Sequence, residues 1–346
     1  MRTKTIIFFI VFFISSGLTT YSQDTDQAYK IMFYNVENLF DTNNDSITND
    51  EEFLPDGDRY WTKYKYYDKL KNIYKVIVAV GGWNPPAIVA LCEIENHQVL
   101  NDLVYNTPLV KFEYQIIHHE SPDRRGIDVG LLFRKELFKP LYNKAIHVNF
   151  PESPDYKTRD ILYVKGVASK TDTLHIFVNH WPSRWGGQLE SEENRITAAA
   201  TLKNQVDSIF AVNAHSNIII TGDFNDTPVN KSLKDILEAK LKFDSIENNQ
   251  LYNLSYHLQQ TQNIGSHKYQ GDWAMLDQII VSGHLLDQNN PLYSKLNDVH
   301  VFNDEFLLEP DESFYGYKPK RTFIGYKYNG GFSDHLPTYL ILNFDK

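Results

Sequence analysis

The chain has 346 residues, a formal net charge of −10, 12 histidines and one cysteine, Cys92. A single cysteine excludes an internal disulfide, so stability must come from burial, and a chain this long can bury a large core. The acidic balance argues against a broad electrostatic grip on nucleic acid, which needs many clustered Lys and Arg. It leaves an anionic substrate open, because a bound divalent cation inverts the local field of an acidic pocket.

The N-terminus is basic from Met1 to Thr5, apolar from Ile6 to Ile14 and small or polar from Ser15 to Gln23. That order is the layout of a secretory signal peptide. The apolar run is much shorter than the ~20 residues a spanning helix needs. Cleavage near Ser22 or Gln23 is therefore expected, with residues 1–23 as signal peptide and 24–346 as one mature domain. The expected location is secreted or periplasmic, with no stable membrane anchor. Removal of Arg2 and Lys4 moves the formal charge from −10 to −12.

In chain order, Tyr29–Asn35 reads as a strand and Tyr64–Val80 as a helix, with Leu70, Ile73, Ile77 and Val80 on one side. Ala87–Cys92 reads as a buried strand and Asn96–Val104 as a helix. Phe112–Ile117, Val129–Phe133, Ile161–Val167 and Thr173–Val178 read as strands, and Glu190–Phe210 as a long helix. Asn217–Thr221 is a strand, Lys231–Ala239 a helix, and Met275–Val281 and Thr338–Asn343 are strands. Helices separated by strand pairs predict a layered α/β sandwich rather than a doubly wound parallel sheet. There is no repeat or linker, and nothing in the sequence points to an oligomer.

Six segments carry chemistry. In Ile218–Asp226 an apolar strand ends in Gly222, followed by Asp223 and Asn225 at alternate positions. If the extended form continues, both side chains point the same way. A carboxylate beside a carboxamide can hold an attacking water; an Asx-rich turn explains the same residues. Phe332–Pro337 places Asp334 beside His335 at the mouth of a strand, suited to a proton acceptor and a phosphate-binding imidazole, or to a capped turn. Ala90–Asn96 ends an apolar strand in Glu93, a natural hard-cation ligand. Asn35 ends the first strand and suits a metal or a phosphate, or simply a strand end. His180 ends another strand and Arg184 follows in a loop; imidazole and guanidinium together suit an anionic oxygen. Asp277 interrupts an apolar strand, where an unpaired carboxylate is costly, so it needs a partner such as histidine.

The ordered set Asn35, Glu93, His180, Asp223/Asn225, Asp277 and Asp334/His335 resembles the endonuclease/exonuclease/phosphatase superfamily, the DNase I-like group. The likeness runs through nearly the whole mature chain, with Gly-Asp-Phe-Asn and Ser-Asp-His-Leu-Pro its most specific parts. It implies a four-layered α/β sandwich, two central mixed sheets flanked by helices, with the site at one edge. It implies that Glu93 binds Mg²⁺ or Mn²⁺, with Ca²⁺ also accepted, and that Asn35 and Asp334 complete the metal site through water. Asp223 then helps to activate water positioned by Asn225. His335 contacts the scissile phosphate, oriented by Asp277, and His180 acts on the phosphate or leaving oxygen, with Asp128 as its acidic partner. Arg125, Asn179 and Arg184 are expected to contact the substrate.

The acidic stretch Asp41–Glu52 imitates a calcium loop but has Ser46 where the sharp turn needs Gly. His118 and His119 read as ordinary strand-end residues, and the aromatics of Tyr60–Tyr67 as helix packing. Phe314–Tyr328 mixes Lys318, Lys320, Arg321 and Lys327 with aromatics, and reads equally as an anion-holding loop or a solvated one. The expected activity is phosphodiester hydrolysis of nucleic acid by metal-assisted in-line water attack. A phosphomonoesterase acting on inositol or sugar phosphates is the alternative within the class. A binding module with a decayed site is the alternative outside it.

Overall fold

A computed structural model describes residues 28–168 and 172–344. The signal segment expected at 1–23 lies outside the described residues. No helix among those described is long and apolar enough to cross a membrane.

Two large mixed sheets face each other. The first contains β1 (Tyr29–Leu39), β2 (Ile88–Ile94), β3 (Tyr114–His118), β4 (Asp128–Arg134) and a C-terminal strand, Thr338–Phe344. The second contains β5 (Phe138–Ile146), β6 (Ile161–Ala168), β7 (Asp172–His180), β8 (Asn217–Asp223), β9 (Leu251–Asn253) and β10 (Asp277–Ser282). With Thr338–Phe344 as β11, the first sheet runs β11-β1-β2-β4-β3, and the short strands Leu292–Tyr293 and Val299–Val301 pair along the other side of β11. The second runs β5-β6-β7-β8-β10-β9. Each sheet has one parallel pair, β1 with β2 and β7 with β8. The carboxyl ends of these four strands lie at one edge of the sandwich.

The central strands are apolar on both faces because both faces are covered. In β2 every residue from Ile88 to Cys92 is buried, and in β8 every residue from Ile218 to Asp223. Helix α1 (Lys63–Gly81) lays Leu70, Ile73, Ile77 and Val80 against the first sheet, beside α2 (His97–Tyr105). Helix α3 (Glu192–Val212) covers the second with Ala198, Ala199, Leu202 and Val206. Helix, sheet, sheet and helix make the four-layered sandwich.

Three local expectations change. Lys231–Ala239 does not become a regular helix: Ser232–Ile236 forms one wide turn, closed by Leu237 N donating to Ser232 O at 2.9 Å. Ser232 Oγ donates to Asp226 Oδ2 at 2.6 Å, tying the turn to the loop after β8. Met275 and Leu276 stay outside β10, because Ser266 Oγ accepts the backbone N–H of both Leu276 and Asp277. Asp277 therefore opens the strand rather than interrupting it. Phe112 lies in a 3-10 turn, Pro108–Phe112, so β3 starts at Tyr114. Strand β5 and helix α4 (Leu254–Gln262) were not legible: β5 is a partly exposed edge strand containing Pro140, and α4 is mostly polar.

Candidate active site

The site is built from strand ends that leave regular geometry. The β1–β2 register shifts between Asn35 and Leu39, and the β2–β4 register between Cys92 and Ile94. Such bulges re-aim a side chain out of the ladder. Glu93 sits at φ 61°, a left-handed conformation that costs a non-glycine residue of order 1–3 kcal/mol and concentrates at functional sites. Its carboxylate is held from both sides: Asn38 N donates to Oε2 at 2.9 Å and Asn35 Nδ2 to Oε1 at 3.3 Å.

Asn35 Nδ2 also donates to Asp223 Oδ2 at 3.1 Å, while its Oδ1 accepts from Glu37 N at 2.9 Å. That oxygen accepts one backbone N–H and keeps a second lone pair, while the Asn35 amide nitrogen draws the two carboxylates together.

Asp223 is buried at the end of β8, level with His180 on β7 and Asp277 on β10. Burial raises its pKa to about 6, with nearby His335 opposing and Asp277 adding to the rise. Its Oδ1 accepts Asn225 N at 2.9 Å. Asn225 has φ 51°, so the extended form does not continue past Asp223 and the expected alternation fails. A turn brings the two residues together instead, with Asn225 Nδ2 donating to Trp181 O at 3.0 Å.

His335 Nδ1 lies 2.7 Å from Asp277 Oδ2, the expected pair. Burial alone would lower the His335 pKa, but the carboxylates of Asp277 and Asp223 outweigh it and hold the ring well above its ordinary range. His335 Nε2 faces Asp223 Oδ2 at 3.8 Å. Ser333 fixes the turn, its Oγ accepting His335 N and donating to Asn35 O.

His180 is also buried, and its Nε2 lies 3.8 Å from Asp223 Oδ2 and 3.9 Å from Glu93 Oε1. Its Nδ1 has no hydrogen-bond partner among the described residues. Burial, then the charges of Arg159, Arg125 and His335, push its pKa well below the usual value. Asp128 is not its partner. The antiparallel pairing of β3 and β4 delivers Asp128 to His118 instead, at 3.0 Å, and its other oxygen accepts Ser121 N. His118 is accordingly an acid-paired ring rather than a plain strand end.

The three expected substrate contacts separate. Asn179 is fully buried, its amide donating to Thr221 O and accepting from Trp181 Nε1, so it packs the strand and does not reach a ligand. Arg184 braces the catalytic loop, with Nε donating to Asn225 O at 2.7 Å and Nη2 3.4 Å from Asp226 Oδ1. Arg125 stands half-exposed at the rim on the His180 side.

Sequence reading missed a second acidic arm. Glu37, two residues past Asn35, accepts from Arg321 Nε at 3.0 Å and from Thr322 N. Arg321 Nη2 reaches Asp334 Oδ2 at 2.9 Å. The 314–328 segment thus places one arginine across two acids of the site. Beneath them Lys69, fully buried, donates to Phe332 O, and burial lowers its pKa to about 8. Burial, then Asp334, raise Glu37. At Asp334 burial is outweighed by Arg321, His335, His267 and Lys69, and the net shift is downward. His267, also missed, packs its ring 4.6 Å from that of His335. The only sequence signal was proximity, Glu37 to Asn35 and Arg321 to Asp334.

The donor set fits a hard divalent cation. Glu37, Glu93, Asp223, Asp277 and Asp334 converge against fewer cations, Lys69, Arg321 and His335. Asp277 Oδ1 is buried without a partner. One amide, Asn35, holds the Glu93 and Asp223 carboxylates near each other, an arrangement that favours a counter-charge between them. The set is rich in oxygen donors, and Cys92 lies buried in β2.

Known proteins share this fold. The fold matches D. rerio TDP2 complexed with a single strand DNA product, at 14% identity, 92% of this chain, 100% of that chain and TM-score 0.56. It matches the human Nocturnin catalytic domain with bound sulfate at 18% identity, 92% and 95% coverage and TM-score 0.55. An endonuclease/exonuclease/phosphatase family protein from Bacteroides thetaiotaomicron matches at 14% identity, 92% and 98% coverage and TM-score 0.54. At such identities the likeness concerns the fold. No curated protein matches the sequence. The sequence itself matches the Endonuclease/Exonuclease/phosphatase family over residues 30–344. Nearly the whole described chain is covered by that match, and the chain belongs to the endonuclease/exonuclease/phosphatase family.

Proposed function

We propose that this metal-dependent phosphoester hydrolase is a phosphodiesterase that cleaves nucleic acid by in-line attack of water. The observation that carries the reading is the placement of two buried histidines on either side of Asp223, His335 paired with Asp277 through Nδ1 and His180 without such an acid. A phosphodiester needs both charge stabilisation at phosphorus and a group near the leaving oxygen, and two rings supply both.

In this reading Glu93 would hold Mg²⁺ or Mn²⁺, with Asn35 and Asp334 ordering the surroundings, and the ion would supply Lewis-acid stabilisation of a phosphoryl oxygen. Asp223, buried and flanked by both rings, accepts the proton of the attacking water. Asn225 is fixed beside it by the Asp223 cap and steadies that water. His335, kept cationic by Asp277, binds the non-bridging oxygens and stabilises their developing charge. Neutral His180 donates through Nε2 to the phosphate or the leaving oxygen.

Two further parts of the reading rest on sequence. The basic–apolar–polar order of residues 1–23 supports export to the periplasm or outside the cell. N-terminal sequencing of protein from its native host is expected to begin near residue 24; a start at Met1 contradicts export. The substrate class is tested with DNA, RNA, nucleotides and inositol phosphates, each with Mg²⁺ and with EDTA. Metal-dependent cleavage of polynucleotide supports the reading. Cleavage of inositol or sugar monophosphates alone would replace it with a phosphomonoesterase.

A further inference from the structure

Beside His180 lies a cavity of about 880 Å³ that the catalytic residues do not use. Its floor is Arg159, a buried side chain whose Nε donates to His180 O at 3.2 Å and Nη2 to Trp181 O at 2.6 Å. The cavity wall is therefore continuous with the backbone that carries the catalytic ring.

Its rim is basic. Arg124, Arg125 and Lys157 line it. Arg124 Nη2 reaches the backbone carbonyl of Asp155 at 3.1 Å, which leaves its charge uncancelled by that contact. Asp123 is already held by Arg159 at 3.1 Å and lies 3.9 Å from Arg125. Asp155 and Glu190 share the cavity, so the patch is moderately cationic and suits one or two phosphates rather than a long stretch of backbone.

The other wall is an exposed indole. Gly187 N donates to Arg184 O at 2.9 Å, closing a turn with Trp185 and Gly186 at its corner. Gly186 has φ 85°, the left-handed third position that a type II turn demands. The turn leaves Trp185 91% exposed. Arg184, at its base, is bonded to Asn225 O, so the turn that carries the indole is tied to the loop after β8. A large apolar ring displayed by a braced turn, over a cavity with a cationic rim, matches the stacking platform and charged groove that hold single-stranded nucleic acid.

We infer that this cavity is a subsite for the nucleotide next to the scissile phosphate on the His180 side. Its base stacks on Trp185, and its phosphate lies among Arg124, Arg125 and Lys157. The inference rests on the polynucleotide reading and adds where the strand runs.

The test compares kcat/KM on a short single-stranded DNA with kcat/KM on bis(4-nitrophenyl) phosphate, a diester too small to span both sites. Trp185→Ala should lower the DNA-to-aryl ratio by about tenfold, the scale of one lost base stack. The double variant Arg124→Ala/Lys157→Ala should weaken anisotropy-measured binding of labelled DNA in EDTA and reduce its salt slope by about one to two. Trp83→Ala serves as control, because Trp83 is equally exposed (104%) but follows α1, away from the cavity. Thermal unfolding checks that each variant is folded. Unchanged ratio and salt slope in the cavity variants, with wild-type DNA cleavage intact, overturn the subsite alone. A wild-type protein that cleaves no polynucleotide overturns the underlying reading together with the subsite.

Discussion

The two sides of the candidate active site carry the same residue type in different surroundings. His335 and His180 are both buried, and each points Nε2 at Asp223 Oδ2 from 3.8 Å. On the His335 side a carboxylate, Asp277, lies 2.7 Å from Nδ1. On the His180 side Nδ1 has no partner among the described residues, the carboxylates of Asp223 and Glu93 stand off at 3.8 and 3.9 Å from Nε2, and burial with the charges of Arg159 and Arg125 lowers the pKa. Burial pushes both rings toward the neutral form; on His180 the nearby arginines add to it, and on His335 the hydrogen-bonded Asp277, helped by Asp223, overcomes it. At equal depth, the carboxylate bonded to the ring decides the charge.

The largest expected effect comes from making the two sides alike. Asp277→Asn leaves His335 buried without its carboxylate and should lower kcat/KM on a diester by roughly 10³-fold or more. His335→Ala should cost as much, and the double variant little more than the worse single, because residues acting as a unit lose activity non-additively. Single-variant losses that multiply would break the pairing. The same pair predicts a pH signature in metal-free protein. Folded His335 binds its proton more tightly than in the unfolded chain, where the pKa is near 6.5. The stabilisation is thus fully present below about pH 6.5 and is lost as pH rises through the raised folded value. Urea unfolding of wild type and Asp277→Asn should differ most at acidic pH and converge as pH climbs.

Next in size is Arg159→Met, which probes what holds the His180 side. It leaves Asp123 buried and removes two bonds to the His180–Trp181 backbone. The loss of folding stability should be roughly 3 kcal/mol, toward the low end for a broken buried pair because Arg125 remains near Asp123. His180→Asn should cost about 10²-fold in kcat, less than His335→Ala, because a neutral donor contributes less than a charged, acid-backed ring. Asp128→Asn should change kcat by less than about twofold. Its partner is His118, and a large loss would restore it as the acid behind His180.

The pattern of those effects mirrors what was legible in the sequence. Asp277 could be paired with a histidine in advance, because an acid within an apolar run has few other ways to be solvated. Glu93, Asp223 and His335 stood out because each closes or opens an apolar run. Asp128 misled because the acid was in a plausible place, but which histidine it meets depends on β3 pairing with β4, a long-range register that local pattern does not encode. Glu37 and Arg321 join from positions 284 residues apart, and only the folded chain brings them together. The left-handed turns at Glu93 and Asn225 were equally hidden, since neither is glycine. Alternation along an assumed strand therefore put Asn225 in the right neighbourhood by the wrong geometry. The two sheets and the long helices, whose burial patterns are periodic, were readable; the polar α4 and the Pro140-containing β5 were not.

The most direct test of the account is single-stranded DNA cleavage as a function of Mg²⁺ for wild type and Glu93→Gln. The wild type should be silent in EDTA and rise to a plateau with added Mg²⁺. Glu93→Gln should lose most of its activity at low Mg²⁺ and recover, at best, only at much higher concentration. Full activity of Glu93→Gln at low Mg²⁺, or wild-type cleavage that persists in EDTA, would contradict it.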